Sequence, residues 1–305
     1  ADRSGLGEAL TGVLLLGACT SLPGLVASLT AAIDGKPSMA VSNAVGGIAV
    51  QTLFIVIADV CHRRANLEHA AASLGNLFQG MLLMGLLSLV LAAGLHPFAS
   101  DWPVHPVSAI LVIIFLAGQR IVSDMRSIPM WKPVNTAETR QDEPDMAAED
   151  RPLPNLLVRF FLLSIATGTA GWLLARSGIV MIDEAGLDEG VVGALFTAVA
   201  SSLPELVTSI VAVRMGAYTL AVSGIIGGNA FDTLFLAAAD VGYLQGSIYH
   251  AAGTRDMFMV TLALAMTAVL SAGLIARQKS GPGNIGWEGI SLILLYLLLI
   301  GSRLV

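Results

Sequence analysis

Two acids stand where acids are expensive. Glu205 falls near the middle of an apolar run, 187–213, and Asp232 near the middle of another, 217–241. An acid at the centre of a membrane-spanning helix costs about 2.5–3.5 kcal/mol on insertion scales, so each needs a partner or a task. The surroundings suggest the task. Ser201 and Ser202 precede Glu205 by four and three residues, and Thr208 and Ser209 follow it by three and four. All can share one helical face with the acid. Pro204 has no backbone N–H and crowds the carbonyl at position 200, which frees carbonyl oxygens. Before Asp232, the stretch "GGNAFD" supplies Gly227 and Gly228 for close helix approach, and Asn229. Carboxylate, hydroxyl and carbonyl oxygens are the ligands of hard cations. A hydroxyl bonding back to its own helix, or a glycine packing two helices, explains any one of these residues. The set as a whole points to a cation site.

The elements that must position this set are membrane helices. The chain has 305 residues, 55% hydrophobic and only 12% charged, against about 25% charged in soluble domains. Long uncharged runs of about 20 residues read as membrane spans. Nine are expected, at about 6–33, 38–61, 69–96, 104–124, 154–181, 187–213, 217–241, 254–277 and 285–304. No strand-period alternation suggests a β-barrel. The segment 125–153 is charged, contains proline and is poor in aromatics, and reads as a solvated linker between two halves. Threading nine spans puts 12 of the 16 Lys and Arg, among them Arg63, Arg64, Arg126, Lys132, Arg140, Arg151, Arg214 and Lys279, on the side of residues 1–5 and 125–153. Lys36, Arg176, Arg255 and Arg303 fall on the other side. The basic side is expected to be cytoplasmic, with the C-terminus outside.

The chain also matches itself. Shifted by 181 residues, "SLPGLVASL" at 21–29 falls on "SLPELVTSI" at 202–210, and "AVSNAVGGIAVQTLF" at 40–54 on "AVSGIIGGNAFDTLF" at 221–235. Over 21–60 against 202–241, 20 of 40 positions are identical without a gap. The threading sends the two copies into the membrane from opposite sides. Inverted repeats with interrupted helices are a recurring plan of secondary transporters, with the site near the midplane. The second copy is preceded by a span, 154–181, that has no partner before the first. The expected fold is therefore an all-α polytopic membrane protein of two inverted five-helix repeats. The first helix of the first repeat is expected to be absent from this chain, with ten spans in the complete protein; a native four-plus-five arrangement is the alternative. The halves are 1–124, with core motif 20–59, and 154–305, with core motif 201–240.

At "SSLPELVTS" and "GGNAFDTLF" the sequence resembles the repeat signatures of the cation/Ca²⁺ exchanger superfamily, whose sodium/calcium exchangers carry Ser-Leu-Pro-Glu and Gly-Ser-Asn-x-Phe-Asp motifs. The resemblance covers essentially the whole chain. It implies antiport of Ca²⁺ against Na⁺ or H⁺ by alternating access, without a cofactor, in a bacterial or archaeal plasma membrane. It implies cation ligands at Glu205 and Asp232, with Ser201, Ser202, Thr20, Ser21, Gln51 and Asn229 around them. The departures lie mostly in the first copy. Gly24 stands where the family has Glu, and "GGIAVQ" replaces a Gly-Ser-Asn-x-x-Asn pattern through Gly47, Ile48 and Gln51. Gly228 likewise replaces a serine in the second copy. A monovalent cation/proton antiporter on the same fold is the alternative within transport. A degenerate homologue that does not transport is the alternative outside it.

Two carboxylates hold at most two negative charges, which balance one Ca²⁺, two Na⁺ or two protons. Uncompensated charge in a low-dielectric site is costly. Asp59 and Asp240 are also repeat-related and sit near span ends, as helix-end acids or as vestibule residues that draw in cations. His62, His69, His96, His105 and His250 show no metal-ligand spacing. Cys19 and Cys61 make no disulfide framework. No nucleophile–base constellation, phosphate loop or dinucleotide fingerprint is present, so no enzyme is expected. The basic residues flank spans and leave no nucleic-acid footprint. The implied partners are the lipid bilayer and inorganic cations.

Overall fold

The computed structural model describes residues 17–61, 66–99, 102–127, 153–281 and 285–304, together with 131, 133, 134 and 136. Residues 1–5, His62 and most of the linker 125–153 lie outside the described residues. The architecture is all-α. The first elements are α1 (Gly17–Thr20), α2 (Leu22–Ile33), α3 (Pro37–Cys61), α4 (Leu67–Ala70), α5 (Leu74–Leu95) and α6 (Pro106–Ser127). After the linker come α7 (Leu153–Asp183), α8 (Glu189–Ser201), α9 (Leu203–Met215), α10 (Tyr218–Gly242), α11 (Ile248–Ala251), α12 (Thr254–Ala276) and α13 (Trp287–Leu304). The middle of α8 is a π-helical stretch, Val192–Thr197.

Seven of these helices are long and apolar enough to span a membrane, and the bent pair α8–α9 makes an eighth. They correspond to eight of the nine expected spans. Of the remaining one, 6–33, the described part is α1 and α2, broken at Ser21. Shifted by 181, α1 overlays 198–201, α3 overlays α10 residue for residue, and α4 overlays α11. The internal likeness thus extends to where helices start and stop.

The breaks have one cause. Pro23 and Pro204 each sit at the second position of the restarted helix. Neither can donate to the carbonyl four residues back. The chain turns at Ser21 (φ −81°, ψ −5°) and at Ser202 (φ −92°, ψ 0°) before resuming. Helices α8 and α9 meet there at 41°.

Burial ranks the helices. The most apolar window of α3 is 89% buried and that of α10 is 78% buried, so their polar residues face protein rather than lipid. The corresponding window of α7 is 6% buried, which puts this helix at the lipid-facing rim. It docks by backbone. A Cβ on Gly171 would lie 2.6 Å from Pro23 Cα, so only glycine permits this approach to the break. Small residues serve this purpose in membranes, where contact rather than water expulsion drives helix association. Arg176 pairs with Asp34, and Lys36 Nζ lies 2.5 Å from Asp183 Oδ1, holding the end of α7 to the α2–α3 turn.

Asp59 and Asp240 are fastenings. They are 2% and 0% exposed. Asp59 Oδ1 accepts the Leu67 N–H at 2.6 Å, and Asp240 Oδ1 accepts the Ile248 N–H at 2.9 Å. Each satisfies the first amide of the short helix that follows, a group helices otherwise leave unpaired. Asp240 Oδ2 also accepts from the His105 N–H and the Ser108 hydroxyl, both at 2.7 Å. Described pieces of the linker reach the same end as α4: Val134 O accepts from Arg277, and Thr136 meets His69.

Glu68, in α4, is buried and its Oε2 has no partner. Burial, and next the charge of Asp59, push its carboxyl up to about 8. The folded protein therefore holds this proton more tightly than the unfolded chain does. Between the ordinary carboxylate range and about 8, folding takes up a proton, so stability falls as pH rises through that window. Melting temperature in detergent is expected to drop across this range, and Glu68→Gln to flatten the drop. An unchanged slope in the variant would remove Glu68 as its source.

Candidate cation site

The two broken helices and the two most buried ones meet at one place. The break at Ser202 puts Glu205 in the first turn of α9, where the N-terminal end of the helix dipole favours a carboxylate. The break at Ser21 brings its hydroxyl alongside, and Ser21 Oγ donates to Glu205 Oε1 at 3.2 Å. From α3, Gln51 Nε2 donates to Asp232 Oδ2 of α10 at 2.7 Å and to Ser202 Oγ at 3.2 Å. A narrow cleft results. Of the residues expected from sequence, Ser21, Gln51, Ser201, Ser202, Glu205 and Asp232 line it, as do Gly24 and Gly47.

The glycines set the approach of the two long helices. A Cβ on Gly47 would lie 3.7 Å from Asp232 Oδ2, and one on Gly228 would lie 3.4 Å from Gln51 Oε1. Each glycine faces the polar residue of the other copy, so α3 and α10 cross here. The counterpart of Asn229, Ile48, is fully buried in the apolar core.

Two expected ligands stand outside the lining. Thr20 Oγ1 bonds back to Gly17 O at 3.2 Å, and its side chain also reaches Glu205. Asn229 Nδ2 donates to Thr52 Oγ1 at 2.9 Å and so ties α10 to α3. Two lining residues were not anticipated, Asn43 and Phe235. Asn43 Nδ2 donates to Gly24 O at 3.0 Å and to Ser28 Oγ at 2.8 Å. A signal for Asn43 exists, since the sister position is Gly224. For Phe235 there is none, because its counterpart is the identical Phe54.

The electrostatics are those of a donor-poor site. Glu205 Oε2, Asp232 Oδ1, Gln51 Oε1 and Asn43 Oδ1 are buried and have no hydrogen-bond partner. All four are acceptors. A buried acceptor left unpaired costs about 1–3 kcal/mol, and more when charged. A cation or a proton satisfies such oxygens where another acceptor cannot. Among the described residues no three His, Cys, Asp or Glu side chains form a metal-binding group. The cleft combines two carboxylates with neutral oxygens.

Broken membrane helices around a buried, acceptor-rich cleft are a recurring plan of ion transporters. The family model described as sodium/calcium exchanger protein matches residues 1–122 and 156–305, and the chain belongs to that family. Its members are cation exchangers embedded in membranes, not enzymes, and use no cofactor. Among curated proteins, the chain is 24% identical over 280 residues to the inner membrane protein YrbG of Escherichia coli (strain K12), covering 92% of this chain and 82% of that relative. Among solved structures it resembles the sodium-calcium exchanger NCX_Mj soaked with 10 mM Na⁺ and zero Ca²⁺, at a TM-score of 0.60 and 17% identity over 99% of this chain and 89% of the other. It also resembles native YfkE, at 0.59 and 14% over 98% and 87%. At these identities the two structures support the fold alone.

Gln51 tests the balance of the cleft. Gln51→Leu removes the donor to Asp232 and to Ser202, and is expected to cost about 1–3 kcal/mol, read as a lower melting temperature in cation-free detergent. Adding Asp232→Leu should recover part of the loss, because the orphaned carboxylate goes with it. A double variant less stable than the single one would contradict this account.

Proposed function

We propose that the chain exchanges Ca²⁺ against Na⁺ or H⁺ by alternating access, with Glu205 and Asp232 as the charged ligands. Ser21, Ser201, Ser202 and Gln51 supply neutral oxygens. The two halves, 1–124 and 154–305, act as inverted repeats joined by a cytoplasmic linker, 125–153, in a bacterial or archaeal plasma membrane with the C-terminus outside. The observation that carries this reading is the set of unpartnered acceptors on Glu205, Asp232, Gln51 and Asn43 around one cleft. Four oxygens without donors suit a hard cation, and two carboxylates neutralise one divalent ion. The two exchanged loads must each respect that limit, so one Ca²⁺ exchanges for two monovalent cations.

Exchange of a monovalent cation for protons is the second reading. Gln51 favours it, because its amide donates to Asp232 Oδ2 and so occupies one oxygen of the carboxylate that a divalent ion would use.

Reconstitution into liposomes separates the readings. ⁴⁵Ca²⁺ uptake is measured under an outward Na⁺ gradient and then under a pH gradient, and ²²Na⁺ uptake under the pH gradient alone. Uptake is expected to fall to background in Glu205→Ala and in Asp232→Ala, and to be indifferent to a clamped membrane potential. Uptake that survives both substitutions would remove the site assignment. A cycle of three Na⁺ per Ca²⁺ would sink the two-charge limit. Only the ²²Na⁺ arm responding would establish the second reading, and cation binding without flux would mark a chain that has lost transport.

A further inference from the structure

The two halves of the cleft are unequal in charge, and the inequality is built into the packing as well as the sequence. Gly24 occupies the position that Glu205 occupies in the sister copy. The space in front of Gly24 is already taken. A Cβ at position 24 would lie 2.7 Å from Phe235 Cε2, 3.3 Å from Cζ and 3.4 Å from Ser201 Oγ. The first distance is closer than side-chain carbons come, so even alanine requires the ring to move.

The ring is not free to move cheaply. Phe235 is 3% exposed. It packs edge-on against Phe231 at 6.2 Å between centroids, and Phe231 packs likewise against Phe115 of α6 at 5.8 Å. Displacing it disturbs a row of three aromatics. Its counterpart Phe54 is also buried but does not line the cleft. Identical residues in the two copies thus do different things. On the same side, Asn43 holds the Gly24 carbonyl and presents a neutral oxygen where the other copy has Gly224.

The geometry points to Phe235 as the residue that fixes the charge capacity of the cleft: its ring fills the volume a second glutamate would need, and so holds the site to two positive charges. This rests on the cation-exchange reading above and deepens it. The loss of an acid at position 24 cannot be reversed at that position alone, and the space must be vacated at 235 as well.

Equilibrium binding of ⁴⁵Ca²⁺ and ²²Na⁺ to purified protein tests this without requiring transport. Wild type and Phe235→Ala are expected to bind at most two positive charges. Gly24→Glu alone is expected to bind either ion about tenfold more weakly. Gly24→Glu/Phe235→Ala is expected to regain affinity and to hold one further Na⁺. A Gly24→Glu single variant that already binds the extra ion, or a double variant that gains none, overturns the assignment of Phe235. Wild type that binds neither ion overturns the cation-exchange reading together with it. Melting temperatures guard against variants that do not fold. Gly24→Ala should lower the melting temperature in the wild-type background and much less in the Phe235→Ala background. Additive losses would show that residues 24 and 235 do not compete for space.

Discussion

The buried carboxylates of Glu205 and Asp232 impose the constraint that organises this molecule. Each is nearly sealed from solvent, at 4% and 1% exposure, in helices that cross a membrane. Charges in that setting must be paired, solvated by protein dipoles or neutralised by something bound. The broken helices answer part of the need, because the turns at Ser21 and Ser202 deliver a hydroxyl and a helix start to Glu205. The crossing of α3 and α10 at two glycines answers another part by bringing Gln51 against Asp232. What remains unanswered is a set of bare acceptor oxygens, which a cation or a proton can satisfy.

Much of this was legible in the sequence, for definite reasons. Membrane spans are read from uninterrupted apolar length, and eight of those expected correspond to helices here. The breaks were legible because proline acts on its own backbone whatever surrounds it. The acids stood out because no apolar face explains them. The repeat located the second copy of the break, and showed Gly24 and Gln51 where the acids have no counterpart.

Other parts depend on where a side chain turns, which spacing along a helix does not determine. Thr20 and Asn229 occupy the right register, yet Thr20 bonds back to Gly17 as well as reaching Glu205, and Asn229 bridges to Thr52. Asn43 holds the backbone of the break instead of standing idle in a packing face. Phe235 is hidden from any comparison of the two copies, since Phe54 is the same residue doing something else. The helix-end acids Asp59 and Asp240 were visible as a pair, but only the structure shows them clamped to the amide eight residues on. Symmetry thus survives in the fastenings and in the serines of the two breaks, and fails at the acids and at Phe235.

The contact between α7 and Pro23 carries a mechanical consequence. Most interhelical contacts run through side chains, which absorb small displacements by changing rotamer. At Gly171 there is no side chain to yield, and backbone touches backbone beside the turn that bears Ser21. The turn that bears Ser21, and with it the hydroxyl that meets Glu205, is thereby braced on α7 by a contact that cannot absorb displacement.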